Sequence, residues 1–183
     1  VSEFPENWRA SSEHGGTPGA FNFEEPWAPG EDPVEVPDGV ARYFTFDDNS
    51  EADATDASFA FTRSGAGFST LVPQDPAVGD ALRFDGTNDY IQIDESAPLT
   101  GYSLSMWVRP DVIRAQSLIL MTNAGGATNA WSHQLRMTAD GRFEHYTFDG
   151  AGKTVTGTTV AEANMWYHVS GTATNGGQMF LYV

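Results

Sequence analysis

From Val40 onward the chain alternates apolar and polar residues in short runs separated by Gly, Asp and Asn. "SLSMWVRP" (103–110) sets Leu104, Met106 and Val108 on one side of a strand and Trp107 on the other, because successive side chains of a strand point to opposite faces. "VARYFTF" (40–46) has the same period of two and predicts another strand. "HQLRM" (133–137) and "RFEHYTF" (142–148) flank "TADG", a hairpin signal, and "MWYHVSGTA" and "QMFLYV" flank "TNGG" in the same way. "KTVTGTTV" (153–160) is rich in β-branched residues that suit a pleated surface. Helical spacing is confined to a turn or two, with "VIRAQSLI" (112–119) the one stretch predicted as a short helix. Many short strands with turn chemistry between them predict an all-β fold, an antiparallel sandwich. Trp107 and Trp166, in the strongest patterns, are expected in the core, and His168 beside them is expected to be structural.

"ALRFDGTNDYIQIDES" (81–96) raises a sharper question, since Asp85, Asp89, Asp94 and Glu95 crowd around a short loop with Asn88. They could be metal ligands, a carboxylate pair or the polar punctuation of a β-hairpin. The hairpin reading sends Leu82 and Phe84 inward from one strand and Ile91 and Ile93 inward from the next. Gly86 then supplies the positive φ of the turn, and the Asp side chains bond nearby backbone.

Residues 1–38 read differently. They carry nine acids against one base, Arg9, with prolines at 5, 18, 26, 29, 33 and 37. "FEEPWAPGEDPVEVP" alternates proline with acid, which favours extended, solvated backbone. The division expected is a tail of a preceding domain over 1–22, an acidic linker over 23–38 and a β domain over 39–183. Across all 183 residues the net charge is −16, which argues against nucleic acid, whose phosphates need Lys and Arg. Without cysteine there can be neither disulfides nor a thiolate metal site. No apolar run approaches the ~20 residues of a membrane-spanning helix, so membrane insertion is not expected. The chain opens at Val1 rather than Met, so a leader is not readable here.

The pieces "ALRFDGTNDYIQI", "YSLSMWVRP", "DGRFEHYTF" and "MWYHVSGTATNGGQMFLYV", in that order, resemble the laminin G-like, concanavalin A-like module. "ARYFTFDD" resembles its opening strand, so the likeness spans about residues 40–183. The segment "ENWRASSEHGGTPGAFN" (6–22) resembles the end of the lamin-tail-like domains of large bacterial surface proteins. The first resemblance implies a jelly-roll β-sandwich of two antiparallel sheets and a binding or adhesion role outside the cell or at its surface. It also implies closing strands beyond "LYV", so the domain is expected to be incomplete at Val183, with an open strand edge.

The resemblance brings three chemistries to weigh. Glycoside hydrolases that share the sandwich use a Glu-x-Asp-x-x-Glu strand; the nearest stretch, "IQIDES", has Gln92 where the first Glu would stand. A carboxamide is neither nucleophile nor proton donor, and no catalytic residue is assigned. His14, His133, His145 and His168 lack HExxH spacing, and no Gly-x-Ser-x-Gly elbow exists. The family often binds Ca²⁺ at the sandwich rim, and "FTFDDNSEADATD" supplies hard oxygens; Asp47 and Asp48 are the expected ligands. Sugar faces stack on aromatic rings, which makes Trp131, His133 and Tyr146 the candidate glycan-binding residues. The function expected is a non-catalytic carbohydrate- or protein-binding module of a larger secreted or surface protein, with a glycan or an extracellular protein as partner. The alternative is an accessory domain of a hydrolase whose active site lies elsewhere.

Overall fold

The computed structural model describes residues 39–73, 80–93, 101–122, 131–148, 151–174 and 177–183, with the backbone alone at 122, 131 and 132. The proposed tail and linker, His14, Asp94 and Glu95 lie outside the described residues. Four strands of three residues come first: β1 (Thr62–Ser64), β2 (Gly67–Ser69), β3 (Ala81–Arg83) and β4 (Tyr90–Gln92). Longer strands follow: β5 (Tyr102–Val108), β6 (Gln116–Thr122), β7 (Trp131–Met137), β8 (Arg142–Phe148), β9 (Gly152–Val160), β10 (Tyr167–Ala173) and β11 (Met179–Tyr182).

All pairings are antiparallel. The two larger sheets run β6-β7-β8-β9 and β11-β10-β5 and form a jelly-roll sandwich. The "TADG" hairpin joins β7 to β8, with the Thr138 N–H donating to the Arg142 carbonyl at 2.8 Å. The "TNGG" hairpin joins β10 to β11, where the Thr174 N–H donates to the Gln178 carbonyl at 2.9 Å.

The core lies between these sheets. Leu135 and Met137 of β7, Phe143 of β8, Ala161 and Val169 of β10 are buried together, and Leu104, Val108, Tyr167 and Leu181 pack against them. Full burial of each large apolar side chain contributes about 1.5–3 kcal/mol relative to exposure. Gly171 of β10 makes the close approach of the sheets feasible: a Cβ there would lie 2.8 Å from both His145 Cγ and Leu135 Cδ2.

Four expectations give way to the structure. Residues 112–119 are not helical; Gln116 onward is β6, because its backbone is claimed by the ladder to β7, with a register shift near Leu118 that turns both Leu118 and Ile119 toward the core. Residues 40–46 join no ladder, and Phe46 at their end is left-handed, with φ 64°. There the Tyr43 N–H donates to Asp53 Oδ1 at 3.0 Å, and Phe44 and Phe46 pack edge-on against buried Phe61.

The stretch 81–93 is not a hairpin either: β3 pairs with β2 and β4 with β1, so the loop between them links two small ladders. Leu82 and Ile91 are half-buried, whereas Phe84 and Ile93 are exposed. The turn chemistry itself holds. Gly86 has φ +75°, the Asp85 N–H donates to Asp89 Oδ2 at 2.7 Å, and the Thr87 N–H donates to Asp85 Oδ1 at 2.7 Å. Trp107, finally, is 44 % exposed on the outer face of β5, and Trp166 is half-buried just before β10; neither belongs to the buried core.

Candidate functional site

Alternation along β7 and β8 sorts their side chains into two environments. His133, Leu135 and Met137 of β7 and Phe143, His145 and Thr147 of β8 face the interior. Gln134, Arg136, Glu144 and Tyr146 lie on the opposite face, with Gln134 itself only 4 % exposed beneath its neighbours.

The inward polar groups bond within the sandwich. His145 Nδ1 lies 3.1 Å from the Phe180 carbonyl, which can only accept, so Nδ1 carries the proton and donates. Nε2 is then the acceptor for the Tyr102 hydroxyl at 2.9 Å. His133 Nδ1 shares a proton with Thr147 Oγ1 at 2.6 Å, and its ring lies 4.3 Å from that of Tyr102. Burial pushes the pKa of both histidines below its ordinary value; the His145 ring adds repulsion at His133, and the Phe180 carbonyl partly opposes the shift at His145. These residues tie β8 to β5 and β11 through the interior, and their chemistry is structural.

The outward groups form a connected polar surface. Arg136 Nε donates to Glu144 Oε2 at 2.7 Å, and the Thr156 hydroxyl donates to Glu144 Oε1 at 2.8 Å. Gln134 Nε2 donates to Ser117 Oγ at 2.5 Å, and the Arg136 guanidinium lies 5.3 Å from the Tyr146 ring centre. A shallow depression of about 520 Å³ opens here, with Ser117, Gln134, Arg136 and Glu144 on its walls. Fixed donors and acceptors beside a half-buried ring are what a hydroxyl-rich ligand with one apolar face requires.

The predicted glycan-binding residues are therefore divided. Tyr146 stands on this outer surface. His133, expected beyond the core, is only 9 % exposed and points into the sandwich, so it cannot share a ligand with Tyr146. The reason is parity: thirteen residues and one hairpin separate them, and the register places His133 opposite Thr147, with Gln134 opposite Tyr146. Trp131 opens β7 opposite Thr122, and its side chain lies outside the described residues.

The acids of the amino-terminal loops serve the backbone. Asp47 and Asp48 lie in a 3₁₀ turn, Asp47–Asn49, and Asp47 Oδ1 accepts the Asp80 N–H at 3.2 Å. Asp48 is exposed. Asp53 is buried and accepts the Tyr43 and Thr55 N–H groups, the Thr55 hydroxyl and Arg42 Nη1. Burial alone would raise its pKa, but these hydrogen bonds outweigh it and hold the carboxyl below its ordinary value. Among the described residues no three histidine or acidic side chains converge as a metal cage would require. Asp47 and Asp48 are thus adjacent but without a third such ligand among the described residues.

Sequence reasoning missed the outward network of Ser117, Gln134, Arg136 and Glu144. Its signal was present in "HQLRM" and "RFEHYTF", where Gln134 and Arg136, and Arg142 and Glu144, recur at a period of two.

A family model described as the concanavalin A-like lectin/glucanases superfamily matches residues 85–183, more than half of the chain. No curated protein and no solved structure matches. Among the described residues no helix is long and apolar enough to cross a membrane.

Proposed function

The chain belongs to the concanavalin A-like lectin/glucanase superfamily, and from that membership we propose that it is a non-catalytic carbohydrate-binding module. Its place is in a larger bacterial protein that is secreted or displayed at the cell surface, where it mediates adhesion. The observation that carries this reading is the outer surface of β6-β7-β8-β9, where Ser117, Gln134, Arg136 and Glu144 line a shallow depression and the Tyr146 ring stands beside the Arg136 guanidinium. Pyranose CH faces pack on the Tyr146 ring while ring hydroxyls exchange hydrogen bonds with the guanidinium and carboxylate.

Glycoside hydrolysis in its usual form needs two carboxyl groups about 5–10 Å apart. On this surface, among the described residues, Glu144 is the acid present, and each of its oxygens already accepts a hydrogen bond. That supports binding over turnover. An acidic chain of net charge −16 also suits a soluble surface exposed to the medium. A rim calcium at Asp47 and Asp48 is not part of the proposal.

A glycan-array screen of the full chain, with a reducing-sugar assay on every hit, tests it. The expected result is binding to a defined glycan class with no release of reducing ends. A flat array would shift the assignment to protein adhesion, and hydrolysis of a hit would make the protein an enzyme.

A further inference from the structure

The other sheet has an outer face too. On β5, β10 and β11 the inward positions pack toward the core, and the outward ones form a second surface. Trp107 and His168 are paired across β5 and β10, with ring centres 5.2 Å apart. Tyr182 stands opposite Ser170, which is itself opposite Ser105. The Phe180 and Tyr182 rings are nearly parallel, 22° apart in plane, with centres 6.5 Å apart. Trp107, Phe180 and Tyr182 are 44, 42 and 59 % exposed.

The remaining outward positions, 103, 170 and 172, are Ser or Thr, and the Ser103 and Thr172 hydroxyls are bonded at 3.1 Å. Ser105 Oγ is bonded to His168 Nε2 at 2.8 Å. None of the outward positions on these three strands is Lys, Arg, Asp or Glu.

Exposed rings clustered on one face mark an interaction surface, and the chemistry around them says what kind. Protein interfaces are depleted in serine, whereas here Ser and Thr hydroxyls are interleaved with rings on β5 and β10. Alternating apolar rings and hydroxyls match a sugar chain, which presents CH faces and hydroxyl edges in turn. The net charge of −16 repels polyanions and a second copy of the chain alike, whereas a neutral polymer meets this charge-free patch without that penalty. With strands about 4.8 Å apart and residues rising about 3.4 Å, the register puts Trp107 and Tyr182 roughly 12 Å apart, near the length of a disaccharide unit in an extended chain.

We propose that the outer face of β5-β10-β11 is a second binding surface, for an extended neutral polysaccharide, with Trp107 and Tyr182 as its stacking platforms. It rests on the carbohydrate-binding reading above but uses the opposite side of the sandwich from Tyr146.

Affinity electrophoresis of the full chain tests it in gels holding hydroxyethyl cellulose, galactomannan or lichenan, with polygalacturonate as the anionic polymer. At least one neutral polymer is expected to retard the chain. Trp107→Ala and Tyr182→Ala should each weaken that retardation about three- to tenfold, as loss of one ring-stacking contact implies, in the wild type and in a Tyr146→Ala background alike. Ser105→Glu, which places a charge on the patch, should weaken it without touching either ring. If Trp107→Ala lowers the melting temperature sharply, the Tyr182→Ala and Ser105→Glu results decide. Wild-type retardation in both the Tyr182 and Ser105 variants overturns the proposal, as does retardation by polygalacturonate alone or by no neutral polymer. Loss in Tyr146→Ala with the Trp107 and Tyr182 variants intact overturns it while supporting the first site. A flat array together with no retardation defeats both.

Discussion

The two sheets meet the same demand inside and diverge outside. Inward, both supply the residues of one core, and even the buried polar groups bridge them, as His145 does between Tyr102 and the Phe180 carbonyl. Outward, β6-β7-β8-β9 carries a charged, cross-linked network centred on Arg136 and Glu144, while β5-β10-β11 carries rings and hydroxyls without formal charge. Packing dictates the inner faces, so their composition reports on stability. It leaves the outer faces open, so their difference reports on what each surface meets.

The largest effects should come from breaking the shared interior. Leu135→Ala removes a fully buried side chain and should cost about 2–5 kcal/mol, read from denaturant midpoints. Gly171→Ala forces a methyl against His145 and Leu135 and should cost about 1–3 kcal/mol. If either change were neutral, the sheets would not be packed as described.

Acid should loosen the same interior. Burial holds His133 and His145 below their ordinary pKa, so the unfolded chain takes up protons first as the pH falls. Their contribution to stability is therefore complete above about pH 6.5 and is lost as the pH falls through the folded-state values. Asp53, also depressed, adds a second loss below about pH 4 by the same linkage. Melting temperature followed between pH 8 and pH 5 should fall, and less steeply in His145→Gln. A flat profile would place the two histidines in contact with solvent.

Smaller effects are expected outside. Arg136→Ala removes a partly buried ion pair and should cost on the order of 1 kcal/mol, while weakening glycan binding at the first surface. Ser105→Ala, on the other outer face, should change stability by less than about 0.5 kcal/mol. A large loss from Ser105→Ala would mean that this face is packed and not open.

Much of the sandwich was legible because alternation is a local signal. "SLSMWV" gives β5, its inward residues and the outward direction of Trp107 in six letters. Assigning Trp107 to the core follows the strength of its strand pattern but runs against the parity of that strand. The small ladders were not legible, since "ALRFDGTNDYIQI" carries turn chemistry that suits a hairpin, while the partners of β3 and β4 are chosen by β2 and β1, 14 and 28 residues upstream of Ala81 and Tyr90. "VARYFTF" alternates as a strand does, but its backbone is held by the Asp53 carboxylate, a side chain no periodicity reveals. "QSLILMT" has apolar residues in succession, which fits a helix or a buried strand equally until β7 is beside it. Of the candidate site, Tyr146 was reached from sequence, whereas the pairing of Arg136 with Glu144 depends on hairpin register.

Calorimetric titration with an oligosaccharide identified on the array, comparing wild type with Tyr146→Ala and monitoring product by chromatography, tests the central claim most directly. The structure predicts saturable binding, at least about fivefold weaker in the variant through loss of the stacking ring, with the oligosaccharide recovered intact. Binding untouched by Tyr146→Ala, or cleavage of the sugar that stops in Glu144→Gln, would contradict a non-catalytic site on this surface.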